Sequence, residues 1–253
     1  MNKIVWITGA SSGIGAETAM QMARNGYHVA ATARSQDKLE ALVEKSKSMK
    51  GSITAYPGDV TKLKVMQDIV TKIEKEQGAI DIALLNAGTY FGESGADFKA
   101  SDFKRTMDIN LNGMANCLEP LLKLFKSRKK GHIAIVASVA GYRGLPKSVA
   151  YGPSKAALIN MTEALYIDCK PLGIKVQLVC PGFVKTPLTD KNDFEMPMLM
   201  EVEDAASALI KGLESNQFEI TFPWVFALIL KTMGLLPNKA YLWLTAKATA
   251  DKA

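Results

Sequence analysis

The sequence predicts an α/β fold of the Rossmann type, with one doubly wound parallel sheet that carries helices on both faces. Short apolar segments alternate along the chain with segments of helical periodicity. The apolar segments are continuous, as expected for parallel strands that are buried on both sides. A glycine-rich turn at residues 9–15 joins the first strand to the first helix. Since the 253 residues contain no internal repeat or linker, we expect a single domain over 1–253.

Hydrophobic spacing and punctuating residues define the elements of the first half. The apolar run at the N-terminus is too short for a secretion signal and predicts a strand. Thr61 is the expected N-cap of the third helix, whose apolar face carries Val65, Ile69 and Ile73. Strands are predicted at 4–8, 27–32, 52–56 and 80–86, and helices at 13–25, 36–49 and 61–77.

The second half continues the alternation with a long helix over 101–127, for which Ser101 is the expected cap. Basic residues close this helix, where cations complement the carbonyl end of the dipole; they are Lys126, Arg128, Lys129 and Lys130. The remaining elements are predicted as strands at 132–138, 175–180 and 219–222, and helices at 150–170 and 202–215.

Composition excludes several classes of function. The net charge is +6, but its basic run sits at a helix end and lacks aromatic interleaving, so no nucleic-acid partner is expected. Cys117, Cys169 and Cys180 are far apart, which predicts reduced thiols of a cytoplasmic protein and no metal site. His28 and His132 lie beside predicted strands without obvious partners, and we interpret both as structural.

The glycine-rich turn predicts a phosphate-binding loop. Missing β-carbons let the backbone turn tightly and approach a pyrophosphate, and the free N–H groups at the start of the helix favour its negative charge. The spacing is GxxxGxG, and a glycine turn by itself is a weak signal. The residues expected to contact the cofactor here are Gly9, Ser11, Ser12, Gly13, Ile14 and Gly15.

Further spaced motifs follow the glycine turn in order. They are Asp59 and Val60 after the third strand; Asn86, Ala87 and Gly88 after the fourth strand; Asn110, Ser138, Tyr151 and Lys155; and Pro181, Gly182, Val184 and Thr186. Through these motifs the chain resembles, over residues 3–190, the short-chain dehydrogenase/reductase family of the short, single-domain type. In that resemblance Asp59 and Val60 look like the adenine contact, the group from Asn110 to Lys155 looks like the catalytic tetrad, and the last group looks like the nicotinamide-side loop. The resemblance implies a small-molecule substrate, a nicotinamide cofactor and a homodimer or homotetramer.

The end of the second strand favours NADP(H) over NAD(H). A site for NAD usually places a carboxylate there to bind the ribose hydroxyls. This chain has Ala33 at that position, followed by Arg34, whose guanidinium can pair with a 2′-phosphate. Some family members place a basic residue before the middle glycine, where this chain has Ser12.

Tyr151 and Lys155 are the expected centre of the chemistry. At i and i+4 they share a helix face, so the ammonium should lower the pKa of the phenol toward the working range of an acid/base. Pro153 is tolerated if the helix begins near Ala150. Ser138 ends a strand and would bind the substrate oxygen. The resemblance assigns Asn110 a water-holding role in a proton relay to Lys155, which would also contact the nicotinamide ribose.

The region 187–253 is expected to set specificity. Residues 187–200 mix prolines, acids and methionines (Met196, Met198, Met200), which suits a mobile lid. The segment 222–244 is very apolar yet too short and interrupted to span a bilayer. Three interpretations stay open for it: an oligomer interface, a wall for a hydrophobic substrate, or peripheral contact with a membrane.

The favoured function is therefore hydride transfer between NADP(H) and a carbonyl or secondary alcohol of a hydrophobic substrate. A non-catalytic regulator that senses NADP(H) is the first alternative, although a sensor has no need of the complete tetrad. A sugar-nucleotide epimerase or dehydratase is the second, although the family's longer members carry extra substrate-binding chain.

Overall fold

The computed structural model describes residues 3–92, 95–190 and 194–250. Continuous apolar segments form the parallel strands expected of them. Within the described residues the strands are β1 Ile4–Thr8, β2 His28–Thr32, β3 Ser52–Ala55, β4 Ile80–Leu85, β5 Gly131–Val136, β6 Ile174–Pro181 and β7 Glu219–Phe222. They form one parallel sheet in the order β3-β2-β1-β4-β5-β6-β7. The short final strand at 219–222 is confirmed.

Helices connect these strands and cover the sheet. They are α1 Gly13–Arg24, α2 Gln36–Ser46, α3 Leu63–Glu76, α4 Ala100–Met107, α5 Gly113–Arg128, α6 Tyr151–Cys169, α7 Val202–Glu214, α8 Trp224–Gly234 and α9 Asn238–Ala250. Apart from the long helix discussed below, the predicted bounds differ from the observed ones by at most three residues.

Two separate hydrophobic cores confirm the doubly wound fold. On one face of the sheet, α1, α2 and α7 contribute buried side chains such as Met22, Leu39 and Leu209. The opposite face carries α3, α5, α6 and α8, with Ile73, Leu121, Leu158 and Phe226 among the buried side chains. A parallel sheet needs this cover on both sides because all of its strands are apolar.

The order of the strands reverses between β1 and β4, which are neighbours in the sheet. Ligands of open α/β folds bind at such a switch point, outside the carboxyl ends of the strands. Here the Thr8 hydroxyl accepts hydrogen bonds from the backbone N–H groups of Asn86, at 3.0 Å, and Ala87, at 3.1 Å. One side chain therefore holds the ends of β1 and β4 in register at the switch point.

The long helix predicted over 101–127 is observed over residues 100–128, but it is not α-helical throughout. A π-helical turn at Asp108–Asn112 separates α4 from α5. Asn110 lies inside this turn, fully buried, and its amide bonds to groups of other elements. A π-turn widens the helix locally and re-aims one side chain, a feature that is frequent at functional sites.

Both predicted caps are wrong. Residue 62 occupies the N-cap position of α3 without a side-chain capping bond, and the backbone N–H and hydroxyl of Thr61 bond to the Asp59 carboxylate. The helix α4 begins at residue 100, one residue before Ser101. The two histidines do have partners: His28 Nδ1 lies 2.7 Å from Ser52 Oγ, and His132 Nε2 lies 2.7 Å from Gln177 Oε1.

Candidate active site

A cavity of about 510 Å³ opens at the carboxyl ends of the strands, where the switch point lies. It joins the glycine turn to the start of α6, so one crevice receives both the predicted cofactor residues and the predicted catalytic ones. The predicted residues that line it are Gly9, Ser11, Ser12, Gly13, Ile14, Arg34, Asp59, Val60, Asn86, Ala87, Gly88, Ser138, Tyr151, Lys155, Pro181, Gly182, Val184 and Thr186. Gly15 and Asn110 do not line it.

The glycine turn has the backbone conformation that its glycines permit. Gly9 and Gly13 have φ values of +68° and +55°, in the left-handed region that L side chains rarely adopt. A Cβ on Gly9 would lie 2.8 Å from Ala87 Cα. Gly13 and Ile14 line the cavity at the start of α1, so the N-terminal end of the helix faces it. This cradle suits a pyrophosphate.

Gly15 supports the turn from behind, and its expected contact with the cofactor is not supported. A Cβ on Gly15 would lie 2.5 Å from both the Gly9 carbonyl oxygen and Asn86 Nδ2. The Asn86 amide itself donates to the carbonyls of Thr8, at 3.2 Å, and Gly9, at 3.3 Å. Gly15 therefore allows close packing of α1 against the turn.

Two cations border the far end of the cavity. Ala33 occupies the position after β2, and Arg34, Ser35 and Lys38 line the cavity beside it. Sequence reasoning missed Lys38, whose only signal was its place in the first turn of the predicted second helix. Together the two side chains offer a guanidinium and an ammonium to an anionic group, where an NAD site would present a carboxylate.

Three predicted catalytic side chains meet at the opposite end. Tyr151 begins α6, as Pro153 in its first turn requires, and it lines the cavity together with Ser138. Ser138 Oγ accepts from the backbone N–H of residue 140 at 3.1 Å. Lys155 Nζ donates to the Val136 carbonyl at 2.9 Å and lies 5.5 Å from the centre of the Tyr151 ring.

Burial sets the proton affinities of this cluster. Removal from water raises the pKa of Tyr151 to about 12, although the nearby Ser138 hydroxyl acts to lower it. The same cause lowers the pKa of Lys155 to about 8. The expected lowering of the Tyr151 pKa by Lys155 is not seen in this structure, where desolvation is the largest cause and the neighbouring Tyr90 and Cys180 also raise the pKa.

Asn110 lies directly behind the catalytic cluster. Its Nδ2 donates to the Thr89 carbonyl and to Ser154 Oγ, both at 3.0 Å, and its Oδ1 accepts from the Thr89 N–H at 2.7 Å. A Cβ added to Gly88 would be 3.5 Å from both Asn110 Oδ1 and Lys155 Nζ, so only this narrow space separates the two groups. The π-turn thus brings Asn110 to the side of the cavity that holds Lys155.

Aromatic and apolar side chains adjoin the phenol and were missed by the sequence argument. The ring of Tyr90 contacts that of Tyr151 edge-on, with 5.3 Å between centroids, and Phe91 and Val149 lie with it around a hollow of only about 10 Å³ that Lys147 also lines. Aromatic residues in a loop after a strand carry no signal that assigns them to a site.

The predicted lid has a fixed base. Residues 184 and 200 form a parallel bridge, and the Lys185 N–H donates to the Met200 carbonyl at 2.9 Å. Within the predicted span 187–200, residues 191–193 lie outside the described part of the chain. No residue of 222–244 is among those that line the cavity in the described structure, so the geometry does not support this segment as a substrate wall. Nor is any described helix long and apolar enough to cross a membrane.

The fold and the cavity together define a nucleotide-binding α/β oxidoreductase domain. The family model described as short chain dehydrogenase matches residues 3–196. An uncharacterized oxidoreductase of Myxococcus xanthus is 34% identical over 235 residues, 93% of each chain. The 3-oxoacyl-[acyl-carrier-protein] reductase FabG of Thermotoga maritima is 32% identical, over 75% of this chain and 77% of its own.

A solved structure agrees with these relatives. The structure of ElxO with NADP bound superposes with a TM-score of 0.80 and is 28% identical, over 89% of this chain and 99% of ElxO. The chain belongs to the short-chain dehydrogenase family and is an oxidoreductase of that family.

Proposed function

We propose that this oxidoreductase uses NADP(H) to interconvert a carbonyl and a secondary alcohol, with Tyr151 as the acid/base. One observation carries the proposal: Ser138, Tyr151 and Lys155 line the same cavity as the glycine turn. A phenol and an ammonium at that position have no role in merely holding a dinucleotide phosphate. The alternative of a non-catalytic regulator leaves this cluster unexplained.

The residues of the cavity fit a phosphorylated dinucleotide. The glycine cradle at the start of α1 suits the pyrophosphate. Arg34 and Lys38 at the other end of the cavity suit a 2′-phosphate. Ala33 stands where an NAD site usually has an Asp or Glu, so no carboxylate at that position would repel the phosphate. The similar structure of ElxO has NADP bound, which supports the same preference here.

When bound, the nicotinamide supplies or accepts the hydride. The chain's own residues handle the proton. Because the pKa of Tyr151 is raised to about 12, its phenol stays protonated near neutral pH and can donate a proton to the developing alkoxide. The Ser138 hydroxyl, which lines the cavity together with Tyr151, would donate to the same oxygen.

Lys155 and Asn110 support this transfer in different ways. The ammonium of Lys155 would stabilise the phenolate left after proton donation, since the two groups begin one helical turn apart. Asn110 would act as a positioning residue, because it contacts Thr89 and Ser154 and does not line the cavity.

A carbonyl with an apolar substituent is the substrate class that the site favours. Tyr90, Phe91 and Val149 lie beside Tyr151, and their apolar surfaces would contact such a substituent. We keep the predicted lid over 187–200 as the cover of the substrate. The family resemblance also keeps the expectation of a homodimer or homotetramer.

A screen of carbonyl compounds tests the function. Ketones and aldehydes of increasing apolar chain length would be offered with NADPH or NADH, and the absorbance of the reduced nicotinamide followed. We expect turnover with NADPH that exceeds turnover with NADH and that rises with chain length. Tight binding of NADPH without oxidation by any carbonyl would favour the regulator instead, and equal rates with both nucleotides would contradict the cofactor assignment.

A further inference from the structure

The last two helices leave apolar side chains on the surface. From Trp224 to Leu244 lie eight of the fifteen large hydrophobic side chains that are exposed in the described part of the chain. Trp224, Leu242 and Trp243 are each more than 60% exposed. The exposed set, here called the C-terminal apolar face, consists of Trp224, Val225, Leu228, Ile229, Leu235, Leu242, Trp243 and Leu244.

The burial pattern of α8 shows that the helix already has a buried side, so its exposed apolar residues are additional to the core. Phe226 and Ala227 are buried against the sheet, while Trp224 and Leu228 lie one turn apart on the solvent side. The helix is thus apolar on both sides, whereas a surface helix carries polar residues on its outer side. Exposed apolar side chains concentrated in one segment of the chain point to an interaction site.

The charged residues in the segment of the C-terminal apolar face are all basic, which favours an anionic partner. From residue 220 to residue 250 the sequence contains three lysines and no Asp, Glu, Arg or His. Lys231 pairs with Glu219, whereas Lys239 and Lys247 form no ion pair with a carboxylate within the described part of the chain. In α9 these two flank Trp243 at four-residue intervals, and Lys247 Nζ lies 5.3 Å from the centre of its ring.

A symmetric contact through residues 220–250 would offer the lysines of either copy no carboxylate from the same segment to pair with. An anionic lipid surface, in contrast, offers apolar depth to the side chains and negative head groups to the ammonium groups. Tryptophan and lysine are also the residues that favour the interface of a bilayer.

We propose that the C-terminal apolar face docks on the surface of an anionic phospholipid bilayer. The side chains of α8 and α9 enter the head-group region and do not cross it, in keeping with helices of 11 and 13 residues. This docking is separate from the proposed catalytic function, because the face does not line the cavity.

The face lies close to the catalytic crevice even so. A Cβ on Gly182, which lines the cavity, would be 3.0 Å from Phe226 of α8. Arg143, five residues after Ser138, donates to the carbonyls of Gly234 and Leu236 at 2.8 and 2.9 Å. A docked molecule therefore holds its crevice near the membrane surface.

Vesicle binding by the full-length chain tests the docking. Sedimentation with phosphatidylcholine vesicles that contain phosphatidylglycerol would be compared with pure phosphatidylcholine. We expect binding to the anionic vesicles alone, weakened by salt. The charge-reversed pair Lys239→Glu with Lys247→Glu should lower the partition coefficient at least about 20-fold, since each lysine near an anionic surface contributes about fivefold.

Apolar contact is tested by Leu228→Glu with Leu242→Glu, which should abolish binding. The matched control is Leu63→Glu with Ile167→Glu, two exposed apolar residues elsewhere, which should bind less than the wild type but far more than the test pair. Circular dichroism checks the fold, and the lysine pair remains informative if the leucine pair fails to fold.

Tryptophan fluorescence gives an independent measurement. Lipids with brominated acyl chains should quench Trp224 and Trp243 and leave the buried Trp6 unquenched. Absence of binding to anionic vesicles, or equal binding by wild type and the test pair, would overturn the proposal. So would a dimer in solution that becomes a monomer in Leu228→Glu with Leu242→Glu, because the face would then be covered by a second copy.

Discussion

Asn110 Nδ2 donates a hydrogen bond of 3.0 Å to Ser154 Oγ, a residue that lies between Tyr151 and Lys155 in α6. The Ser154 hydroxyl in turn donates to the Tyr151 carbonyl at 2.7 Å. The π-turn before α5 is thus tied to the first turn of the helix that carries the phenol and the ammonium. Disturbing this tie should shift both groups without touching either.

Replacement of Asn110 by Ala tests this hydrogen-bonded link between the π-turn and α6. It would leave the Thr89 N–H, the Thr89 carbonyl and Ser154 short of a partner in a buried place, at a cost of about 2 to 3 kcal/mol in the free energy of unfolding. Asn112→Ala, in the same π-turn but exposed, should cost less than about 0.5 kcal/mol. Urea denaturation measures both. Equal losses in the free energy of unfolding for the two variants would contradict the assigned role of Asn110. Asn110→Ala should also lower kcat more than it raises KM.

Gly15→Ala should be strongly destabilising because its methyl group would meet the Gly9 carbonyl at 2.5 Å. We expect a loss of about 2 kcal/mol or more in the free energy of unfolding, together with weaker NADPH binding as the turn is displaced. Gly144→Ala is the control, since a Cβ there meets nothing within 4 Å. A Gly15→Ala protein as stable as the Gly144→Ala protein would refute close packing as the reason for this glycine.

Cofactor preference should depend on the two cations at the end of the cavity. Arg34→Ala and Lys38→Ala should each weaken NADPH binding by about tenfold or more and leave NADH binding nearly unchanged, because only NADPH carries the 2′-phosphate. Lys45→Ala, on the same helix α2 but outside the cavity lining, should change neither. Isothermal titration calorimetry with both nucleotides measures these affinities. Parallel losses of affinity for NADPH and NADH would argue against recognition of the 2′-phosphate by these residues.

Lys155 should make stability depend on pH. The folded chain releases this proton near pH 8, whereas an unfolded lysine keeps it to about 10.5. The unfolded state binds more protons in that window, so the contribution of Lys155 to stability rises with pH from about 8 to 10.5, by at most about 3 kcal/mol. Below pH 8 the cost of burying the ammonium is present in full.

The comparison of wild type with Lys155→Met isolates this contribution. The variant should be at least as stable as the wild type at pH 7, and its advantage should shrink as pH rises toward about 10. Activity should fall severely all the same. Thermal unfolding monitored at several pH values measures the difference, and a stability difference that is independent of pH would show that Lys155 titrates normally.

Local chemistry explains why most of the fold and the cavity were predictable. The turn around Gly9 and Gly13 needs positive φ values, and only glycine supplies them at low cost. The pairing of Tyr151 with Lys155 follows from helical spacing, and Pro153 marks where the helix begins. Such rules act between residues that are close in sequence, so they can be applied without coordinates.

The features that escaped prediction depend on distant partners. The π-turn exists around Asn110, whose amide bonds to Thr89 and Ser154, 21 and 44 residues away. The approach of Lys38 to the cavity depends on how α2 packs. The raised pKa of Tyr151 reflects burial, which is a property of the assembled fold and cannot be read from helical spacing.

The most direct test of the central claim is the turnover of Tyr151→Phe with NADPH and the best carbonyl substrate. Phe keeps the ring that packs on Tyr90 and removes only the proton that the phenol donates. We expect kcat to fall by about 10³-fold while the Kd for NADPH changes by less than about threefold. Turnover within about tenfold of the wild type, with NADPH binding intact, would contradict the assignment of Tyr151 as the acid/base.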